Sequence, residues 1–123
     1  QAEGESTIHE TMYDDRLAYA EELRKMGADI QVRGQTAVVR GPTPLRGAAV
    51  RALDIRSGAA VTLAGLAAEG RTIISDVHYI DRGYEGIDVK LARLGARVAR
   101  HERPAEASDR ATLGDMRPDV LVR

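Results

Sequence analysis

Leu23-Arg24-Lys25-Met26-Gly27-Ala28-Asp29-Ile30 and Leu91-Ala92-Arg93-Leu94-Gly95-Ala96-Arg97-Val98 repeat one pattern: an apolar residue, two polar or small ones, an apolar residue, Gly-Ala, a polar residue and a β-branched one. Glycine adopts the left-handed backbone that ends a helix at no steric cost, and a β-branched residue soon after it favours an extended strand. Each segment therefore describes a helix stopped by glycine and followed at once by a strand. The chain is expected to hold two copies of one helix–strand unit.

Working outward from the first copy, Leu17, Ala20, Leu23 and Met26 recur every three residues with Glu21, Glu22, Arg24 and Lys25 between them. That spacing predicts an amphipathic helix from Asp14, with Asp14 and Asp15 at its positive end and Gly27 as its stop. Ahead of it, Thr7 to Thr11 alternates around Ile8 and predicts a short strand. Behind it, Asp29–Arg33 and Thr36–Arg40 straddle Gly34-Gln35 and predict a hairpin, after which Pro42 and Pro44 interrupt regular structure. Ala48 to Ala52 reads as another short strand, ending at Asp54. Ser57 to Glu69 is apolar nearly all round, with Thr62 and Gly65 as small spacers, so a helix buried on every side is expected, with Ser57 as its N-cap and Gly70 as its stop.

Arg71 to Val77 reads as a strand. The second copy then predicts a helix over Glu85 to Leu94, with Ile87, Leu91 and Leu94 facing inward, and a strand over Arg97 to Arg100. From Glu102 the periodicity stops, and residues 102–123 are expected to form a mobile tail in which Leu113, Val120, Leu121 and Val122 are the residues able to dock. The alternation of helices with strands points to an α/β fold.

Composition bounds the function. A chain of 123 residues, 43% apolar and 30% charged, buries one modest core and amounts to one domain or less. A net charge of -1 offers no broad positive field for nucleic acid, so any anion recognition must be local. Without cysteine there is no disulfide, no thiol nucleophile and no cysteine-ligated zinc. His9, His78 and His101 are scattered without metal-ligand spacing, neither a Walker loop nor a Gly-x-Gly-x-x-Gly loop occurs, and no metal or cofactor is expected. No apolar run approaches the ~18 to 20 residues of a membrane span, and Gln1-Ala2-Glu3-Gly4-Glu5 does not resemble a signal peptide. A soluble, cytoplasmic protein that binds no membrane is expected.

Of the 18 basic residues only Lys25 and Lys90 are lysine. Arg16, Arg56 and Arg82 each stand where a strand or loop hands over to a helix, within Tyr13-Asp14-Asp15-Arg16, Asp54-Ile55-Arg56-Ser57 and His78-Tyr79-Ile80-Asp81-Arg82-Gly83-Tyr84-Glu85. Planar guanidinium forks at such positions suit a small carboxylate- or phosphate-bearing ligand. Plainer roles stand beside this one. The arginine bias also fits a coding background rich in Ala, Arg and Gly, Asp54 and Asp81 suit helix caps or arginine partners, and Tyr13 and Tyr79 suit wall positions.

Thr11-Met12-Tyr13-Asp14-Asp15-Arg16, Asp54-Ile55-Arg56-Ser57-Gly58-Ala59, Ala68-Glu69-Gly70-Arg71-Thr72 and His78 to Glu85, in that order, closely resemble the enolpyruvyl transferase family. Within it they resemble the C-terminal part of the UDP-N-acetylglucosamine 1-carboxyvinyltransferases, and Ile80-Asp81-Arg82-Gly83-Tyr84-Glu85 favours these over relatives acting on shikimate 3-phosphate. The resemblance runs from about Thr7 to about Arg100. It implies repeated strand-helix units with buried helices behind outer sheets, part of an inside-out α/β barrel, with residues 1–101 supplying about two of the three units of one domain. Because such enzymes are much longer and this chain opens on Gln1, a fragment is expected.

The activity implied is transfer of enolpyruvate from phosphoenolpyruvate to the 3-hydroxyl of UDP-N-acetylglucosamine, the first committed step of peptidoglycan synthesis and so of cell-wall biogenesis. The resemblance gives Arg82 a catalytic role at the phosphate end of phosphoenolpyruvate and puts Arg16 and Arg56 on its carboxylate. Met12 and Tyr13 align with residues touching the sugar nucleotide, and Asp54 with a carboxylate that orients arginines beside the pocket. The family's general-base aspartate, its loop cysteine or aspartate and its substrate-binding lysine fall outside this chain. The fragment alone is therefore expected to be inactive, and uncovered apolar surface is expected to favour self-association. The alternative is a non-catalytic binding or regulatory module that retains the fold; RNA reading is disfavoured, since the aromatics are four tyrosines with no Phe or Trp.

Overall fold

The computed structural model of the chain describes residues 1–12, 16–103 and 117–122. In chain order its elements are β1 (Gly4–His9), α1 (Tyr19–Lys25), β2 (Asp29–Arg33), β3 (Thr36–Gly41), β4 (Ala49–Arg51), α2 (Ile55–Ala67), β5 (Thr72–Ser75), α3 (His78–Asp81), α4 (Ile87–Arg93), β6 (Val98–Arg103) and β7 (Arg117–Val122). The strands form two sheets, ordered β1-β3-β2 and β4-β5-β7-β6.

The two helix–strand copies are built alike to the level of single hydrogen bonds. At the end of α1, Gly27 has φ +95° and its N–H donates to the Arg24 carbonyl, while Ala28 N–H donates to the Leu23 carbonyl. At the end of α4, Gly95 has φ +96°, its N–H donates to the Ala92 carbonyl, and Ala96 N–H donates to the Leu91 carbonyl. A left-handed glycine with this paired set of bonds satisfies the last carbonyls of a helix and turns the chain straight into a strand.

The likeness extends beyond the eight residues that announce it. In the first unit β3 lies between β1 and β2, antiparallel to both. In the second, β7 lies between β5 and β6, antiparallel to both. Both units thus run from a strand through helix (α1 in the first, α3 and α4 in the second) to two further strands, with the last strand in the middle, and β4 is added beside β5 in parallel.

This arrangement corrects the expected tail. Residues 102 and 103 continue β6, and 117–122 form an interior strand whose Val120 and Val122 are buried in the core. Three apolar residues after a proline give too short a signal to stand out, and β7 is separated from β6 by residues 104–116, not by a two-residue turn such as Gly34-Gln35 between β2 and β3. Leu113 and the rest of 104–116 lie outside the described residues, as do Tyr13, Asp14 and Asp15.

Helix α2 also departs from expectation. Its buried stripe is Ser57, Gly58, Val61, Thr62 and Gly65, while Leu63 on the opposite side is 63% exposed. Composition alone does not say which face of an apolar helix is covered; here the small residues select it, because they let α2 lie close on the sheet. Leu94 was expected to face inward, yet it is 84% exposed. It sits at the cap of α4, one residue before the left-handed glycine, where the chain has already left the helix face that holds Ile87.

The main core joins Met26, Val50, Val61, Ile74, Val77, Ile80, Val120 and Val122 across α1, α2, α3 and the larger sheet, with a smaller cluster of Leu17, Ala20, Ile30 and Ala37 under the first unit. Buried Glu22 ties the two together: its carboxylate accepts from the Arg51 N–H at 2.9 Å and from Lys25 Nζ at 2.8 Å. Ile74, fully buried in β5, has helix on one side and paired strands at both edges. Ile74→Ala is expected to cost about 2–5 kcal/mol in denaturant titrations, and a loss near zero would place the core elsewhere.

Candidate functional site

Parallel pairing decides where the site can form. Arg51 at the end of β4 lies opposite Ser75 at the end of β5, so both strands leave the sheet at one edge. Ligands of α/β folds gather at the carboxyl ends of strands, where connections to helices meet.

Beyond β4 the chain enters α2 through Asp54. Its Oδ1 accepts from the N–H groups of Arg56 and Ser57, each at 2.8 Å, and Ser57 Oγ accepts in return from the Asp54 N–H at 2.8 Å. Asp54 is thus the N-cap, and Ser57, expected in that role, is the third helical residue of a reciprocal capping box. An Asp-x-x-Ser spacing is a readable signal, and of the two roles that suit Asp54 the structure shows the cap, with Arg56 only loosely approached. Burial pushes the Asp54 carboxyl up, but the Ser57 and Arg56 N–H bonds outweigh it and hold the group below the ordinary carboxylate range. Asp54 Oδ2 stands 3.7 Å from Arg56 Nη2. An ionised carboxylate engaged in this way orients its surroundings better than it accepts protons.

Arg16, between β1 and α1, and Arg56 line one cleft of about 210 Å³, together with Glu10, Tyr19, Asp54, Ser57 and Ala60. Arg16 and Glu10 also border a neighbouring hollow of about 410 Å³ with Val32 and Gln35. Glu10 was not a sequence candidate, since nothing in its local pattern sets it apart from the other surface acids.

Arg82 is placed differently. It caps α3, its guanidinium carbon lies 5.7 Å from the centre of the Tyr79 ring, and it is not among the residues lining the Arg16–Arg56 cleft. The turn that bears it is nevertheless set against the start of α2. A Cβ on Gly83 would come within 2.5 Å of Ile55 Cγ2, so only glycine allows this approach to the residue preceding Arg56. Met12 is 71% exposed, donates its N–H to Glu10 Oε1 at 2.9 Å and does not line the cleft; Tyr13 lies outside the described residues.

Asp81 takes the arginine-partner role, not that of a cap. Arg100 of β6 donates to both its oxygens, at 2.9 and 2.8 Å, and also reaches Asp88 at 3.2 Å. The two acids raise the Arg100 guanidinium, and hydrogen bonding from Arg100 holds the Asp88 carboxyl low against the opposing effect of burial. Neither Arg100 nor Asp88 stood out in the sequence. Among the described residues no group of His, Asp and Glu is arranged to hold a metal ion, and no helix is long and apolar enough to cross a membrane.

A family model described as EPSP synthase (3-phosphoshikimate 1-carboxyvinyltransferase) matches residues 1–91. The chain belongs to this enolpyruvyl transferase family. It is 53% identical over 107 residues to the UDP-N-acetylglucosamine 1-carboxyvinyltransferase of Trichormus variabilis, which covers 86% of this chain and 24% of that protein. It is 48% identical over 121 residues to the enzyme of the same name from Gloeobacter violaceus, covering 98% of this chain and 26% of that one. The crystal structure of the enolpyruvyl transferase NikO from Streptomyces tendae superposes with a TM-score of 0.72 at 36% identity, covering 76% of this chain and 22% of that chain. The chain therefore spans about a quarter of the length of the relatives it matches.

The capped and paired carboxylates set the acid behaviour. Asp54 and Asp88 have folded pKa values below those of the unfolded chain, so their contribution is complete above about pH 4, the unfolded value, and is lost as pH falls through the lower folded values. Removing the cap with Asp54→Ala is expected to cost about 0.5–2 kcal/mol at neutral pH. Urea titrations below about pH 4 are expected to show that deficit shrinking; a deficit that grows on acidification would contradict the assignment.

Proposed function

We propose that this chain is the segment of a longer enolpyruvyl transferase that supplies arginines to its phosphoenolpyruvate site, with UDP-N-acetylglucosamine as the acceptor. The observation that carries this reading is the shared cleft of Arg16 and Arg56 at the edge where β4 and β5 end. The names of the most similar relatives support the acceptor.

The chemistry asks for what the cleft offers. Phosphoenolpyruvate is a small, highly charged anion that must leave water, and two planar forks return hydrogen bonds to its carboxylate in fixed geometry. Arg82, on the adjoining turn, faces the phosphate end once the rest of the enzyme closes over the site. Charge on that phosphate grows as it departs, so a cation positioned there acts most strongly in the transition state. Asp54, capped and ionised, orients Arg56. Met12 and Tyr13 border the sugar nucleotide. Proton transfer and the remaining phosphate contacts come from residues outside this segment.

In this reading the segment forms about two units of one domain, the second completed by β7 beyond the expected boundary at 101, and the exposed Leu63 side of α2 is covered by the part of the enzyme this segment lacks. The product feeds peptidoglycan precursor synthesis in the cytoplasm. Alone, the segment presents part of a site and an uncovered apolar face, so it self-associates and does not turn over.

Two measurements test this. The 123-residue chain by itself is expected to release no phosphate from phosphoenolpyruvate and the sugar nucleotide; turnover of about 1 per second or more would overturn the division of labour. In the full-length protein, Arg56→Ala is expected to lower kcat/KM for phosphoenolpyruvate by about 100- to 1,000-fold, roughly 2.7–4 kcal/mol of transition-state stabilisation. An unchanged transfer rate would favour a non-catalytic module that retains the fold.

A further inference from the structure

The turn that displays Arg82 is strung between two short helices, α3 ending at Asp81 and α4 opening at Ile87. Its own backbone bonds are few: Gly83 and Tyr84 N–H donate to the Ile80 carbonyl, and Ile87 N–H donates to the Tyr84 carbonyl. Arg82, Gly83, Tyr84 and Glu85 are all exposed. What closes the turn is a side chain from another element. Arg100 of β6 grips Asp81 on one side with two bonds, at 2.9 and 2.8 Å, and Asp88 on the other at 3.2 and 3.5 Å. One guanidinium therefore clamps both ends of the loop.

From this geometry we infer that Arg100 is a positioning residue for Arg82, fixing the turn that presents it to the anionic substrate. The inference rests on the proposed function for its catalytic readout alone. Arg100 itself is not a ligand-binding cation. Its donors point at two carboxylates that more than neutralise it, so it offers nothing to a phosphate. Arg82, by contrast, meets the Tyr79 ring and among the described residues forms no ion pair.

Magnitudes separate a positioning role from a merely stabilising one. Partly exposed ion pairs add little to global stability, whereas a displacement of about 1 Å in a group that must meet a reacting phosphate costs up to about 100-fold in rate. Loss of Arg100 is thus expected to separate stability from activity. Gly83 against Ile55 sets where the turn rests, and Arg100 sets how firmly it stays.

The test is Arg100→Met in the full-length protein, a change that keeps the aliphatic length and removes the fork. Amide hydrogen exchange over 82–86 is expected to accelerate by about tenfold or more, with β1 to β3 unchanged. kcat/KM for phosphoenolpyruvate is expected to fall about 10- to 100-fold, with the KM for the sugar nucleotide unchanged. Combined with Arg82→Ala, Arg100→Met is expected to add no further loss. Unchanged exchange in the turn overturns the inference, as does the same fold-loss with and without Arg82, which would mark a general structural role. Should Arg100→Met fail to fold, Asp81→Asn releases one side of the clamp and is judged by the same criteria. If the unsubstituted protein transfers no enolpyruvate, the functional reading fails, and exchange in the turn still decides whether Arg100 holds it.

Discussion

Helix α2 packs closely against α3 through Gly58 and against the larger sheet through Gly65, with little room for a Cβ at either place. A Cβ on Gly58 would come within 2.4 Å of Ile80 Cγ1 and 3.2 Å of the Ala52 methyl, and one on Gly65 would meet Thr72 and Val122 at 3.3 Å. Thr62, buried between these glycines, satisfies its hydroxyl within the helix by donating to the Gly58 carbonyl at 2.8 Å. The helix thereby presents a flat, self-satisfied face, and close packing with no buried donor left over on that turn holds it in place. The start of the same helix lines the cleft: Asp54, Arg56 and Ser57 border it with Arg16, and Ile55 meets the turn at Gly83.

The arginines divide according to what their guanidinium groups meet. Arg51 pairs with Asp76 at 2.8 Å and Arg100 with two acids, so both are structural cations that tie one strand to the connection after another. Arg56 has only a loose approach to Asp54, at 3.7 Å, and Arg82 rests over an aromatic ring. In a chain of net charge -1 any anion recognition is local, and among the described residues Arg56 and Arg82 differ from Arg51 and Arg100 in having no close carboxylate partner of this kind. Sequence composition makes every arginine look alike; the partners differ because the strands that bring them belong to different parts of the chain.

The repeated unit shows how far a local pattern reaches. Gly27 and Gly95 stop their helices through local backbone bonds, so the helix–strand steps were legible in a few residues. The counterpart of β3 in the second unit is β7, the central strand of that unit. Its pairing with β5 and β6 is long-range in sequence, and neither Arg117-Pro118-Asp119 nor Val120-Leu121-Val122 carries a turn that would announce it. The choice of buried face on α2 was hidden for a similar reason: its apolar residues encircle the helix, and the sheet selects the side where they are smallest.

By itself the sequence determined what depends on neighbours along the chain: the helix stops at Gly27 and Gly95, the hairpin at Gly34-Gln35, the alternation that makes the fold α/β, and the places of Arg16 and Arg56 ahead of and within the first turn of their helices. Helix α2, by contrast, ends at Ala67 before the expected stop at Gly70, and Arg82 caps the end of α3 and does not open a helix. Tertiary structure alone decided that Arg16 and Arg56 share a cleft, that Arg82 stands on an adjoining turn, and that Arg100 holds Asp81 and Asp88. Local signals arise from backbone torsion and bonds over a few residues. The site arises from parallel strand exits and a close-lying helix, whose contacts join residues far apart in the chain.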